Sequence, residues 1–397
     1  MDTLSLLEGL GPESFSNDAD RYAAKEAARK LLYKLESPFE RSWSLCIETS
    51  VLVAGIQVCQ DLGIWSKWAD KCKESETATQ TLDDILAMCN SKADPNLLRR
   101  LLRHISALYV IEETDVDTWK PTPFSLALGD KTSYVDQTIQ CGLDHNIPCG
   151  VNLVKFLAKN QYQEPVDRFK FDNYRDLFGD DFFDYCQKNP GAGGSFIGLM
   201  KALNLNKMDW TEVYDTKKLL SEVEISNGQP VFVDMGGAHG RDTNRLLAKH
   251  PELGQDALIV QDLPDVLALH TQEKLDGRIK RMPHDFFSTQ PVLGARAYFF
   301  HVVLHDWSDV DCGRILGKVK DAMTKGYSKL LICEVVLPPK GATSFMTTLD
   351  LQMMNSTSGF ERTEEHWRKL LQNIGFRVVG ISTHIGAMES VIEAEIA

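Results

Sequence analysis

The sequence predicts an α/β fold in which a mostly parallel sheet of about seven strands is covered by helices. Val231–Val233 and Ala257–Val260 are short apolar runs, typical of strands buried on both faces. A glycine turn and a helix follow the first run, and strands then alternate with helices toward the C-terminus. Phe376–Ser382 and Val391–Ile396 close the pattern as a pair of strands. This alternation is typical of a doubly wound sheet.

The segment VFVDMGGAHG, residues 231–240, organises the rest of this domain. Its tight turn is made by three glycines, Gly236, Gly237 and Gly240. A turn of this kind before a helix lets a ligand approach backbone N–H groups at the helix start. Asp262 ends the next strand, where a carboxylate can accept hydrogen bonds from a ribose diol. A tight turn alone would explain the glycines, but with Asp262 they predict a site for a nucleoside-containing cofactor.

Composition and charge exclude several classes of protein. Hydrophobic residues make up 43% and charged residues 25% of the 397 residues, as in ordinary globular proteins. The net charge of −13 argues against sequence-independent binding of nucleic acid, which needs cationic surfaces. The nine cysteines form no CxxC or Cys/His cluster, so we expect reduced thiols in a cytoplasmic protein. The N-terminus lacks the pattern of a secretory signal, and no apolar run is expected to span a membrane.

Residues 1–130 are expected to form a helical N-terminal domain. Arg21–Leu35 and Trp43–Leu62 have helical periodicity, and the second segment is apolar around much of its girth. The second segment is therefore either a core helix or a helix buried against another subunit. Residues 78–130 predict two helices and a hairpin, a winged-helix arrangement whose acidic wing would repel nucleic-acid phosphates.

Residues 131–225 are predicted to be mostly helical and are rich in aromatic residues. Such a region can roof a pocket for a flat organic substrate, although aromatic residues at helical spacing also fill ordinary cores. We treat residues 131–225 as a helical linker that contributes to a substrate pocket. Residues 226–397 are then the cofactor-binding α/β domain.

Three chemically active side chains are expected at one edge of the sheet. His305 and Glu334 each follow a predicted strand, and Glu361 lies in a loop before the last long helix. Open α/β sheets place their ligands at the carboxyl ends of the strands. An imidazole flanked by carboxylates is an oriented general base, because a carboxylate fixes its tautomer and stabilises the imidazolium. A nicotinamide-dependent oxidoreductase would share Asp262 and the glycine turn but would not explain these three residues.

From about residue 20 onward the chain resembles the caffeic acid O-methyltransferase-like enzymes, in particular the fungal O-methyltransferases of secondary metabolism. The motifs that carry the resemblance are VDMGGAHG (233–240), QDLP (261–264), PHDFF (283–287), LHDWSD (304–309), CEVVLP (333–338) and FERT (360–363). The resemblance implies a Rossmann-like class I methyltransferase domain with an N-terminal winged-helix dimerisation domain. It also implies S-adenosyl-L-methionine as cofactor, a small aromatic or polyketide-like acceptor, and a homodimer in which the N-terminal domain completes the partner's pocket.

The resemblance assigns roles to individual residues. His305 would take the proton of a phenolic or enolic hydroxyl with Glu334 and Glu361 beside it, and the chain offers no ligand cluster for a metal. The residues expected to bind the cofactor are Asp234, Gly236, Gly237, Gly240, Asp262, Leu263, Asp285, Phe286 and His301. The residues expected to shape the acceptor pocket are Trp307, Met346, Met353, Met354, Asn355 and Phe360.

One position departs from the family pattern. Members carry glycines in a GxGxG spacing, and Ala238 replaces the middle one, so its methyl group is expected where the backbone approaches the cofactor. The chain also resembles a few fungal pericyclases that keep the fold and have abandoned methyl transfer. In those proteins the histidine tends to be replaced, whereas His305, Glu334 and Glu361 are all present here. Methyl transfer is therefore the favoured function, and a pericyclase is the alternative.

Overall fold

The computed structural model describes residues Ser5, Leu7, 9–74, 78–166, 171–221, Val223, 230–269 and 275–397. The chain divides into two compact units, Met1–Pro148 with Cys186–Asn206, and Cys149–Tyr185 with Lys207–Ala397. The segment 131–225, expected to be one region, is thus shared between the two units.

The first unit begins with helices that leave much apolar surface exposed. After a 3₁₀ turn (Pro12–Ser14) these are α1 (Asp18–Leu35), α2 (Pro38–Trp43), a π-helical turn (Ser44–Glu48), α3 (Thr49–Asp61) and α4 (Ile64–Glu74). The 24 residues Pro38–Asp61 are long and apolar enough, with a mean hydropathy of 1.4, to cross a membrane by length and composition alone. The expectation that no apolar run reaches this length was wrong. Only 17% of the run's most apolar 18-residue window is buried among the described residues.

A small three-stranded sheet follows in the same unit. Its elements and the helices after it are β1 (Gln80–Thr81), α5 (Leu82–Met88), α6 (Pro95–Ala107), β2 (Ile111–Asp115), β3 (Thr118–Pro121), α7 (Pro123–Gly129), α8 (Val135–Cys141) and a π-helical turn (Gly142–Asn146). The strands are antiparallel in the order β1-β3-β2. Asp94 caps α6 by accepting the N–H of Leu97, with Pro95 at the first helical position. Trp65, Trp68 and Trp119 are buried in the core of this unit.

Helices lead from this sheet to the α/β region. They are α9 (Ile147–Lys159), α10 (Asn173–Phe178), α11 (Phe182–Lys188), α12 (Pro190–Asn206), α13 (Trp210–Val213) and α14 (Thr216–Leu220). Tyr174 on α10 is fully buried and packs edge-on against Phe182, with 5.2 Å between the ring centroids. The aromatic residues at this point of the second unit therefore form ordinary core.

The second unit is built on a seven-stranded sheet, as the sequence predicts. Its strands are β4 (Phe232–Met235), β5 (Leu258–Asp262), β6 (Ile279–Pro283), β7 (Ala297–His301), β8 (Lys329–Glu334), β11 (Phe376–Ser382) and β12 (Ser390–Ile396). The order is β11-β12-β8-β7-β4-β5-β6, parallel from β8 to β6, with β12 antiparallel to both neighbours. A two-stranded parallel pair, β9 (Val336–Leu337) and β10 (Arg362–Thr363), lies apart from it.

Helices complete this unit around the sheet. They are α15 (Arg241–Lys249), α16 (Pro264–Leu269), α17 (Asp309–Ala322), α18 (Ser344–Thr357) and α19 (Glu364–Ile374), with a 3₁₀ turn at Leu304–Asp306. Alternate strand residues belong to separate cores, since Tyr298 and Phe300 pack into one and Phe299 into the other. The strand order reverses at β4, which lies between β5 and β7. Such a switch point opens a crevice at the carboxyl ends of the strands, where doubly wound proteins bind ligands.

Candidate active site

The turn between β4 and α15 has the backbone conformation that the glycines predict. Gly236 and Gly240 have φ of +74° and +76°, in the left-handed region. A Cβ atom at Gly236 would lie 3.0 Å from Val303 Cγ2, so a side chain there would crowd the loop after β7. Ala238 is also left-handed, with φ of +45°, and its N–H donates to Asp262 Oδ2 over 2.9 Å. The alanine therefore occupies a strained position that closes the turn onto the end of β5.

We expect Ala238→Gly to preserve or tighten cofactor binding. A left-handed conformation costs an L-residue about 1–2 kcal/mol, and glycine removes that cost while keeping the N–H bonded to Asp262. Glycine also makes the unfolded chain more flexible, which offsets the gain in unfolding free energy by about 0.5–1 kcal/mol. Calorimetric titration with S-adenosylhomocysteine and thermal unfolding measure the two effects. The reciprocal change Gly236→Ala should weaken binding, and a weaker Ala238→Gly complex would contradict this account of the turn.

Two aspartates anchor the turn to its strands. Asp234, buried at the end of β4, accepts the Thr243 hydroxyl at 2.7 Å, and burial followed by the nearby charge of Asp242 raises its pKa. Asp262 accepts the N–H of Leu263 at 2.8 Å on Oδ1 and that of Ala238 on Oδ2. A carboxylate oxygen can accept more than one hydrogen bond, which is the chemistry that recognises vicinal hydroxyls. The turn and this carboxylate fit the nucleoside half of an adenosyl cofactor.

The residues expected around the adenine, Asp285 and Phe286, lie in the loop after β6. Asp285 is exposed and accepts the N–H of Phe287 at 3.0 Å. Phe286 is half-buried and meets Trp307 edge-on, with the centroids 5.8 Å apart. Leu263 is 50% exposed beside Asp262. An apolar ring face and exposed side chains at the carboxyl edge suit a flat heterocycle.

His301 lies within a buried ionic network, at the end of β7. Its Nδ1 is 2.6 Å from Asp242 Oδ2 and its Nε2 is 2.9 Å from Lys207 Nζ. Lys207 also donates to Glu389 Oε1 at 2.9 Å. Burial lowers the pKa of His301, but the charge of Asp242, the neighbouring Cys333 and the hydrogen bond to Asp242 together raise the pKa well above its ordinary value. Both ring nitrogens are thus engaged by protein groups.

The structure brings His305, Glu334 and Glu361 together as one buried group, the His–Glu–Glu cluster. His305 Nδ1 lies 2.8 Å from Glu361 Oε1 and 3.6 Å from Glu334 Oε2. Glu334 is fully buried at the end of β8, and its Oε1 accepts the N–H groups of Val303 at 3.1 Å and Leu304 at 2.8 Å. The hydrogen bond from Nδ1 to Glu361 leaves Nε2 as the ring nitrogen that can meet a substrate.

The two carboxylates set the charge of the imidazole. Burial lowers the pKa of His305, but the negative charges of Glu334 and Asp306 and the hydrogen bond to Glu361 raise it to about 10. Burial, with the like charge of Glu361, raises the pKa of Glu334 to about 6. The carboxylates therefore stabilise the imidazolium, which is the form of His305 after its Nε2 has accepted a proton.

The same three residues also satisfy the spacing of a metal site. Their ligand atoms all lie within 4.8 Å of one another. The expectation that the chain offers no ligand cluster is therefore wrong as a statement of geometry. The Nδ1 atom already bonded to Glu361 favours proton transfer over metal ligation.

Apart from Trp307, which follows the Leu304–Asp306 turn, the residues expected to shape the acceptor pocket lie on or next to α18. Met346, Met353 and Met354 are half-buried. Asn355 is 3% exposed, and its amide bonds to Asn173 at 3.1 Å and to Gln352 at 3.3 Å. The half-buried Phe360 follows this helix, with the Arg362 guanidinium 4.3 Å from its ring centroid.

Sequence reasoning missed several charged residues that hold the site. They are Lys207, Asp242, Asp350, Arg362 and Glu389. Asp350 accepts the N–H of Glu361 at 2.9 Å. Of these residues only Arg362 had a visible signal, because it lies inside the FERT motif beside Glu361.

Comparison with known proteins decides the family. A family model described as an O-methyltransferase domain matches residues 160–377. The O-methyltransferase ATR12 of Stachybotrys chlorohalonatus is 38% identical over 381 residues, which cover 96% of this chain and 94% of that protein. The chain belongs to the O-methyltransferase family. The predicted likeness to fungal O-methyltransferases is confirmed, and the methyl donor of this enzyme is S-adenosylmethionine.

Solved structures agree on the fold. The structure titled "A Pericyclic Reaction enzyme" matches with a TM-score of 0.86 at 24% identity, covering 99% of this chain and 98% of the other. OxaC, solved with sinefungin and meleagrin, matches with a TM-score of 0.81 at 25% identity, covering 96% and 94% of the two chains. The predicted α/β fold with a helical N-terminal region is confirmed.

Proposed function

We propose that this enzyme methylates a phenolic or enolic hydroxyl of a small aromatic or polyketide-like metabolite, with His305 as the general base. The observation that carries the proposal is the 2.8 Å hydrogen bond between His305 Nδ1 and Glu361, which leaves Nε2 for the acceptor. The relative OxaC was solved with the small molecule meleagrin, which supports a small-molecule acceptor.

The cluster can move one proton at a defined atom. S-adenosylmethionine supplies an electrophilic methyl group on a sulfonium sulfur. Nε2 of His305 accepts the hydroxyl proton as the oxygen becomes nucleophilic, and Glu361 stabilises the imidazolium that forms. Glu334 fixes the backbone just before His305 by accepting the N–H groups of Val303 and Leu304. A phenol, with an unperturbed pKa of about 10, is matched by a base of similar pKa.

We propose cofactor contacts from the turn and from Asp262, Asp285 and Phe286. Asp262 would bind the ribose hydroxyls, and Asp285 with Phe286 would hold the adenine. His301 would act indirectly, because Asp242 and Lys207 already bond to its two nitrogens. Trp307, with the methionines of α18, would shape the acceptor pocket.

Methyl transfer to a panel of phenolic polyketides, followed by mass spectrometry, tests the proposal. A methylated product is expected, and turnover should be unchanged by a chelator such as EDTA. The pericyclase alternative gives an isomerised product of unchanged mass and no methylated one. Loss of turnover in EDTA that added zinc restores would instead assign the His–Glu–Glu cluster to a metal.

Glu334→Gln is expected to shift the pH dependence of kcat/KM to lower pH. The charge of Glu334 contributes most to raising the pKa of His305 to about 10, so its removal lowers that pKa. The unprotonated base is then available at lower pH, and the ascending limb moves in the acid direction. The glutamine carbonyl can still accept the N–H groups of Val303 and Leu304. Glu395→Gln, beside Lys329 at the opposite end of the sheet, is the control, and a limb that stays in place in Glu334→Gln would contradict the assignment.

We propose a homodimer that uses the exposed apolar faces of α1 to α3. Leu35, Phe39 and Leu45 are 74%, 70% and 63% exposed. Large exposed apolar patches on soluble proteins mark interaction sites. Phe39→Glu should turn a dimer into a monomer in light scattering at micromolar concentration, because it places a charge in an apolar interface. Val116→Glu, at the 77% exposed tip of the β2–β3 hairpin, is the control. If the wild-type protein is a monomer and floats with anionic vesicles, the apolar faces would be assigned to a membrane surface and not to a dimer.

The remaining sequence predictions stay proposals. We propose that β1 to β3 with α5 and α6 form a winged-helix module of the dimerisation domain, without a role in nucleic-acid binding. All nine cysteines lie in described residues as free thiols, which supports a cytoplasmic location.

A further inference from the structure

We propose that Arg362 is the positioning residue that holds the His305 turn in register with Glu361 for proton transfer. The inference rests on the proposed role of His305. It goes beyond that role by assigning the geometry of the base to a buried residue outside the His–Glu–Glu cluster.

The guanidinium of Arg362 spans the turn that carries His305. The residue is 1% exposed. Its Nη1 donates to the Leu304 carbonyl at 3.0 Å and its Nη2 to the Trp307 carbonyl at 2.7 Å. These carbonyls belong to the residue before His305 and to the second residue after it. The ends of the turn are therefore fixed by one side chain.

The backbone beside Arg362 touches His305 directly. The N–H of Phe360 donates to the His305 carbonyl at 2.9 Å. A Cβ atom at Gly359 would lie 2.1 Å from the same oxygen, so the two segments approach too closely for any side chain. Residues 359–362 thus contact the His305 turn through backbone and guanidinium while Glu361 reaches the imidazole.

The same segment pairs with the short strand that follows Glu334. Arg362 pairs with Val336 in the parallel β9–β10 ladder, two residues after Glu334. The side-chain atom Nε of Arg362 donates to Asp309 Oδ1 at 2.9 Å, at the start of α17. Arg362 is therefore linked to all three members of the His–Glu–Glu cluster: to His305 through its turn, to Glu361 as the next residue, and to Glu334 through the β9–β10 pair.

Only a guanidinium can make this set of contacts. It offers five N–H donors in a planar fork, whereas a lysine ammonium is a compact point charge on a flexible stem. The group also lies 4.3 Å and 5.0 Å from the ring centroids of Phe360 and Trp367, where a planar cation packs well. Lysine would keep the charge and lose the simultaneous bonds to Leu304, Trp307 and Asp309.

The test compares Arg362→Lys with the matched variant Arg296→Lys. Arg296 is 3% exposed and donates to the carbonyls of Leu219 and Tyr327, at the opposite end of β7. For each variant we would measure kcat, KM for the acceptor, thermal unfolding, and the Kd of S-adenosylhomocysteine. Arg362→Lys should lower kcat by about 10–100-fold, as expected for a misplaced catalytic group, with the Kd within about twofold of wild type. Arg296→Lys should lower Tm and leave kcat near wild type.

The outcomes separate positioning from general stability. An Arg362→Lys variant with wild-type kcat, or one in which kcat and cofactor affinity fall together as Tm falls, overturns the proposal. If that variant does not fold, Asp309→Asn takes its place, with an expected loss of kcat of about threefold to tenfold, and an unchanged kcat counts against the inference. A shifted His305 Cε1–H NMR signal in the folded variant supports displacement of the imidazole. Activity retained in His305→Ala would instead refute the proposed function itself.

Discussion

Replacement of His305 by alanine is expected to lower kcat by about 10²–10⁴-fold while leaving the Kd of the cofactor nearly unchanged. The imidazole is the group of the buried cluster whose Nε2 can take the acceptor proton, and its loss leaves two buried carboxylates without the base. Single-turnover methyl transfer and calorimetry with S-adenosylhomocysteine measure the two quantities.

Two further substitutions separate the base from its neighbours. His305→Lys should be no more active than alanine, because a protonated ammonium cannot accept a proton. Glu361→Gln should cost less than His305→Ala, since Glu361 orients the ring without taking the proton itself. A lysine variant that methylates as well as wild type would refute the general-base assignment.

Replacement of Asp262 by alanine is expected to weaken cofactor binding by about 10–150-fold. Charge-assisted hydrogen bonds to the ribose are worth about 1.5–3 kcal/mol, which corresponds to this range. The structure adds a second effect, because Asp262 Oδ2 accepts the N–H of Ala238 at 2.9 Å and so closes the turn itself. Titration calorimetry with S-adenosylmethionine measures the change.

The control for Asp262 is Asp265→Ala in the first turn of α16. Asp265 is exposed and lies three residues after Asp262. Its replacement by alanine makes the same change in net charge. Its Kd should stay within about twofold of wild type, because solvent and salt screen a charge there. Equal losses in the two variants would mean that a general effect of charge, and not the ribose contact, underlies the weaker binding.

Local patterns in the sequence were enough for the framework of the site. Burial on both faces determines the strand at Val231–Val233, and the φ angles open to glycine determine the turn before the next helix. Both depend on residues close together in the chain. The cap at Thr363, which accepts the N–H of His366 at 3.2 Å, is equally local. Sequence alone also placed His305 and Glu334 after parallel strands, and hence at one edge of the sheet.

The full length of the helical run around Trp43–Leu62 does not follow from its apolar residues alone. The apolar residues of Trp43–Leu62 were recognised, but the helix extends back to Pro38, where Ser37 caps it through the N–H of Glu40. The added turn makes the helical run 24 residues long. The exposure of this run depends on what packs against it, which residues a few positions apart do not determine.

By itself the sequence determined the α/β order, the glycine turn with Asp262, and the identity of the three residues of the His–Glu–Glu cluster. Only the tertiary structure decided that Glu361 bonds to Nδ1 across 56 residues of chain, that Lys207 and Asp242 occupy both nitrogens of His301, and that Arg362 holds the His305 turn. The physical reason is that caps, turns and strand periods depend on residues a few positions apart. Contacts between distant side chains depend on which strands become neighbours, and burial then fixes their partners and their charges.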